Sequence, residues 1–212
     1  MDLLVNGIAY FQKGGAVMYV QLICSVFAVS IGVERYLFFR QSDAGRKYGK
    51  DFYDAMTTAD IKKAWEMSEK SSPSILPRII YGGLKLIATD DPHYQSYMEV
   101  QSTIAISQLK RRLYYLNVIV TMAPLLGLLG TIVGMIGAFN VFDIANGQAM
   151  AITGGVGEAL IATAFGLCVA ILSLVIHSWF TQWTDDIIND MELSFSLLDE
   201  QKPLILKAGV MK

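Results

Sequence analysis

Cysteine is nearly absent from this sequence: Cys24 and Cys168 are the only two in 212 residues. Two thiols without a pairing pattern supply neither a disulfide framework nor a metal-ligand cluster, and both fall in apolar runs where free cysteine packs as a small hydrophobe. Charge is scarce as well. Asp, Glu, Lys and Arg make up 17% of the chain against 53% hydrophobic residues, whereas soluble domains carry roughly 25% charged residues. The formal net charge of −2 provides no basic field of the kind that holds nucleic acid. A lysine-bearing phosphate loop, a metal-ligand cluster and a nucleophile–base arrangement are also missing, which argues against an enzyme. No segment alternates as a half-buried strand does, and no internal repeat or low-complexity tract is visible. What these absences leave is an all-α membrane protein.

What is present is three long apolar runs, at 16–33, 116–142 and 156–180. A helix needs about 20 apolar residues to cross a ~30 Å hydrocarbon core. The first run follows Gly14-Gly15 and stops at Glu34-Arg35. A signal peptide would need a basic start and a small-residue cleavage site; here Asp2 opens the chain and the basic residues come after the run, so an uncleaved helix is expected. The second run follows Lys110-Arg111-Arg112, and the third ends near His177, Trp179 and Trp183, an aromatic group suited to a membrane boundary. Thirteen of the 17 Lys and Arg residues lie between 34 and 115, and none lies in 143–157. Positive residues stay on the cytoplasmic side, which puts the large loop and the C-terminal tail inside, and the N-terminus and the short loop outside. The expected order is an amphipathic segment in the outer interface (1–15), a first transmembrane helix (16–40), a cytoplasmic helical region (41–115), a second transmembrane helix (116–142), an outer loop (143–157), a third transmembrane helix (158–181) and a cytoplasmic C-terminal helix and tail (182–212).

The helices should outlast the membrane. Thr89-Asp90-Asp91-Pro92 is a helix-start signal with Asp91 as cap, and a single helix could run from there to residue 142, interrupted only by Pro124. The third span should extend to about 202, its Ile187, Met191, Phe195 and Leu198 on one face and its acids solvated. Within the large loop, Ile61, Ala64, Trp65 and Ser68 share a face, Ser72-Pro73 breaks the helix, and Leu76, Ile79, Ile80, Gly83, Leu84 and Ile87 resume the period. Gly154-Gly155-Val156-Gly157 reads as the outer turn into the third span.

Small residues form stripes on the second and third spans. At 100° per residue, Pro124, Gly127, Gly130, Thr131, Gly134 and Ala138 share one sector; Ala159, Ala162, Thr163, Gly166, Ala170 and Ser173 share another. Such stripes let helix backbones approach closely in lipid. Packing alone would explain most of them, but each stripe also carries a threonine at mid-membrane depth, Thr131 or Thr163, whose hydroxyl both donates and accepts. Intramembrane proton relays use Asp, Glu or His, and the mid-span positions hold none. Glu158 starts the third span, where the helix dipole favours a carboxylate; lining a polar entrance is its other reading. A proton would cross only with a partner helix that brings its own acid.

The run Ala123-Pro-Leu-Leu-Gly-Leu-Leu-Gly-Thr131-Ile-Val-Gly-Met-Ile-Gly-Ala-Phe139 resembles the second-span signature of the MotA/TolQ/ExbB proton channel family. Glu158-Ala-Leu-Ile-Ala-Thr163-Ala-Phe-Gly-Leu167 resembles its third-span signature, and Val33-Glu34-Arg35 the end of its first span. Three spans resemble ExbB and TolQ more than the four-span MotA. The resemblance implies a homopentamer in the bacterial inner membrane, with a periplasmic N-terminus and a cytoplasmic C-terminus. It would enclose the single helices of a dimeric ExbD/TolR-like partner whose membrane aspartate carries the proton. A TonB/TolA-like protein would take up the work, and protons would serve as coupling ion with no cofactor. Thr131, Thr163 and Glu158 match the family's channel positions. One departure is Ala170-Ile171-Leu172-Ser173, where ExbB and TolQ usually have Ala-Ile-Pro-Ala; without the proline this helix should be straighter. A MotA-like flagellar or gliding stator, or a non-conducting membrane scaffold, are the competing expectations.

Overall fold

The computed structural model describes residues 15–43, 46–144 and 149–208. Among them are eight helices and no strand: α1 (Gly15–Ser42), α2 (Arg46–Thr57), α3 (Ile61–Lys70), α4 (Ile75–Ala88), α5 (Tyr94–Lys110), α6 (Leu113–Ile144), α7 (Ala149–Glu200) and α8 (Lys202–Ala208). The protein is an all-α membrane protein with three helices long and apolar enough to span a bilayer. Lipid offers the backbone no hydrogen-bond partners, so an apolar run of this length satisfies its peptide groups as helix. The amphipathic segment expected over 1–15 lies, apart from Gly15, outside the described residues.

The chain divides into two compact units. One holds the described residues up to Val33 together with Arg112–Trp179; the other holds Glu34–Arg111 and the described residues from Phe180 onward. In the first unit, three helical segments pack through small residues. In the second, the core is conventional: Phe39, Phe52, Met56, Ile79, Ile80, Leu84, Ile87, Leu109, Met191 and Leu198 are fully buried. The apolar face read on α3 is the buried one (Ile61, Ala64, Trp65, Ser68), as is that of α4 (Leu76, Ile79, Ile80, Gly83, Leu84, Ile87). Polar atoms at the edge of this core and inside it are satisfied locally. Asp60 caps α3 by accepting from the Lys63 N–H at 3.1 Å, an N-cap bond. The Tyr48 hydroxyl lies 2.8 Å from Ser68 Oγ, and Ser68 donates to the Ala64 carbonyl. Burial pushes the Tyr48 pKa up, so it stays a neutral donor.

Three expectations are corrected. The helix expected from 92 to 142 is not continuous, and its break is not at Pro124. Pro124 sits inside α6, while the chain turns at Arg111 and Arg112, the latter at φ 71°. The cause is non-local. Arg35 is buried, and its Nη1 donates to the carbonyls of Gln108 and Arg111 at 3.1 and 3.0 Å, closing the end of α5. Its Nε and Nη2 donate to Glu34, each at 2.7 Å, and the guanidinium lies over the Phe38 ring. A planar, always-charged fork suits three acceptors at once. Second, α5 begins at Tyr94 with His93 as its cap residue, not at Pro92; Asp91, two residues before that cap, accepts from the His93 N–H through Oδ1 at 2.8 Å. Third, Gly154–Gly157 is not a turn: it lies within α7. A Cβ on Gly155 would strike the Ala138 side chain, so this glycine serves close helix packing. At the expected end of the third span, Trp183 is half-buried. It packs on Phe39 and Phe180, and its Nε1–H donates to Asp43 at 2.7 Å, while Trp179 remains 60% exposed.

Replacing Arg35 with methionine keeps most of the side-chain volume, removes the donor from the Gln108 and Arg111 carbonyls and takes the guanidinium away from the Glu34 carboxylate. The expected loss is about 2–3 kcal/mol, the size of charged hydrogen bonds removed from one side. Thermal unfolding of the detergent-solubilised protein measures it.

Candidate functional site

The site is built where α1, α6 and α7 meet in the first unit. Glycine makes the approach possible. A Cβ on Gly127 would come within 3.0 Å of the Thr163 Cα and 3.3 Å of the Ala162 carbonyl oxygen. One on Gly130 would lie 2.6 Å from the Ala162 Cβ, and one on Gly134 3.2 Å from the Ala159 Cβ. From the other side, a Cβ on Gly166 would lie 2.6 Å from the Ala123 carbonyl oxygen, 2.7 Å from Gln21 Nε2 and 3.2 Å from the Gly127 Cα. The α6 stripe of Gly127, Gly130, Gly134 and Ala138 therefore lies against the α7 stripe of Ala159, Ala162 and Gly166. All of these are buried, as are Ala170 and Ser173, and Pro124 is half-buried.

The two threonines reach the same stretch of α6. Thr163 Oγ1 donates across helices to the Gly127 carbonyl at 3.1 Å. Thr131 Oγ1 donates within its own helix to the Leu128 carbonyl at 2.7 Å. The two hydroxyls thus sit on consecutive carbonyls of one helix and do not bond each other. Both residues are half-buried. Glu158 is half-buried too, on α7 beside the start of α1: Gly15 has φ 71°, and a Cβ there would strike Glu158 Oε1. It is not among the groups that gather at Gly127.

Gln21 was not apparent from the stripes. It is fully buried on α1, and its Nε2 donates to the Ala162 carbonyl at 3.2 Å. Among the described residues its Oε1 has no partner, a state that costs about 1–3 kcal/mol for a buried acceptor. The signal was there to find: Gln21 is the one amide in the apolar run 16–33, and amides inside a span bond across helices.

Chemically the arrangement offers hydroxyls and carbonyls and nothing that ionises. From Leu113 to Asn140, α6 contains no Asp, Glu, His, Lys or Arg, and α7 contains none from Ala159 to Ile176. Among the described residues no group of His, Cys, Asp and Glu could hold a metal ion.

Comparison with known proteins agrees with this architecture. A family model described as the MotA/TolQ/ExbB proton channel family matches residues 71–193. A putative biopolymer transport protein ExbB-like 1 of Synechocystis sp. is 34% identical over 78% of this chain and 67% of its own length. A putative ExbB homolog of Methanothermobacter thermautotrophicus is 26% identical over 86% of this chain and 66% of its own. The chain thus spans about two thirds of the length of these two relatives. The biopolymer transport protein ExbB of Neisseria gonorrhoeae is 33% identical over 45% of this chain and 46% of its own. Over the second and third spans and the helices that flank them, the chain belongs to the MotA/TolQ/ExbB proton channel family.

Proposed function

We propose that this protein is the channel-wall subunit of a proton-driven inner-membrane motor. A dimeric ExbD/TolR-like single-span protein supplies the membrane carboxylate that carries the proton, and a surrounding ring of five copies provides the polar surface past which that carboxylate moves. The observation that carries the reading is the pair of hydroxyls, Thr163 and Thr131, on the adjacent carbonyls of Gly127 and Leu128, in spans whose centres hold no ionisable group. A threonine hydroxyl at that depth gives a partner carboxyl a place to exchange hydrogen bonds that hydrocarbon denies it. Glu158 lies at the mouth of the path on the periplasmic side, which also holds the N-terminus; the Lys- and Arg-rich residues 34–115 face the cytoplasm. The proton motive force would be passed through a TonB/TolA-like protein to transport or envelope work at the outer membrane.

Reconstitution tests this reading. In liposomes under a pH gradient and membrane potential, the purified protein alone is expected to pass few protons. Co-reconstitution with its cognate ExbD/TolR-like partner should raise the flux, and changing that partner's membrane Asp to Asn should return it to the basal level. Strong proton leakage through the protein alone would overturn the assignment.

A further inference from the structure

We propose that Gln21 is a positioning residue for Thr163: its carboxamide ties α1 to the Ala162 carbonyl of α7 and thereby holds the Thr163 hydroxyl on the Gly127 carbonyl of α6. This rests on the channel-wall reading above. The Ala162 carbonyl and the Thr163 N–H belong to one peptide plane, which is rigid. A hydrogen bond from Gln21 Nε2 to that carbonyl at 3.2 Å orients the plane and so sets the Thr163 Cα. That Cα is in turn packed against Gly127 with no room for a methyl group. Gly166 completes the junction, with Gln21 Nε2, the Ala123 carbonyl and the Gly127 Cα all crowding the place where its Cβ would be.

Stability does not explain this amide. Gln21 is fully enclosed and its Oε1 has no partner among the described residues; a methionine of similar shape would fill the space without leaving an acceptor unmade. Gln21 also lies outside the residues matched by the family model, 71–193. No Asp, Glu, His, Lys or Arg occurs in 17–33 of α1, 113–140 of α6 or 159–176 of α7. Tyr19 and Cys24 are the titratable neighbours on its own helix, Glu158 and Cys168 those on α7, and α6 brings none near Ala123 or Gly127.

The test uses the complex with the cognate ExbD/TolR-like partner in liposomes, with Gln21→Met and Gln21→Glu. Gln21→Met removes the donor and keeps the volume. It is expected to assemble normally and to lose partner-dependent proton flux by about tenfold or more, since a slight misplacement of a functional group has effects of that order. A protonated carboxylic acid can donate to the Ala162 carbonyl, whereas a carboxylate cannot. Gln21→Glu should therefore match the wild type at acidic pH and fall away from it, ratio by ratio, as the pH rises. Flux within twofold of wild type in Gln21→Met, or a pH-independent ratio in Gln21→Glu, would overturn the proposal. If Gln21→Met does not assemble, the ratio for Gln21→Glu decides alone. If the wild-type complex shows no partner-dependent flux, the motor reading fails instead. The tie is then scored by unfolding midpoints of Gln21→Met, Thr163→Val and the double variant: a double shift smaller than the sum of the singles supports it, and simple additivity refutes it.

Discussion

Gly166→Ala is expected to cost about 3 kcal/mol of stability, the upper end of the range for overpacking a filled core. Its added methyl group would meet the Ala123 carbonyl oxygen at 2.6 Å and the Gly127 Cα at 3.2 Å. Both are backbone atoms of α6, which cannot swing aside as a side chain does. Relief would require the two helices to separate, and the Thr163 hydroxyl bond to Gly127 would go with them. Gly137 provides the control. It lies on α6, where a Cβ would find nothing within 4 Å, so Gly137→Ala should change stability by no more than about 0.5 kcal/mol. Unfolding of each purified variant in the same detergent compares the two. Equal effects would mean that the close approach of α6 and α7 does not hold this unit together.

Thr163→Val should show the opposite balance, with little loss of stability and a large loss of function. Valine has nearly the shape of threonine and lacks only the hydroxyl. The Gly127 carbonyl sits inside an unbroken helix, so the ladder bond of α6 still satisfies it when the Thr163 bond at 3.1 Å is gone. Interhelical hydrogen bonds in membranes are worth about 0.6 kcal/mol on average, and the unfolding midpoint should move accordingly little. Partner-dependent proton flux, by contrast, should fall by about a hundredfold, as when one fixed polar group is removed from a charge-stabilising site. A variant that assembles and conducts like the wild type would remove Thr163 from the path.

Much of the architecture could be read in advance because it follows from local chemistry. The three spans are length and apolarity, and the buried faces of α3 and α4 are a simple 3.6-residue period. The glycines of α6 and α7 recur visibly; that Gly127 meets Thr163 and Gly166 meets Ala123 is a fact of helix pairing that no period contains. The misreadings share that origin. Pro124 looked like the natural interruption of the long helix, but a proline inside a span is accommodated, whereas the end of α5 is determined by an arginine 76 positions away. The glycines at 154–157 resembled a turn because glycine serves both turns and close contacts, and only Ala138 across from Gly155 decides between them. Thr131 and Thr163 stood out through their neighbours in two signature runs. Gln21 carries no such setting, and its importance appears only once α7 is seen beside it.

The hydroxyls of Thr131 and Thr163 have a single hydrogen each, and both are already given to α6, at Leu128 and Gly127. What remains at each oxygen is lone pairs. On the channel-wall reading, a neutral carboxylic acid, which brings its own O–H, finds an acceptor there, and a carboxylate is met by a donor only when a hydroxyl turns from its carbonyl. In that reading the lining would tell a visitor that has taken up its hydrogen from one that has lost it.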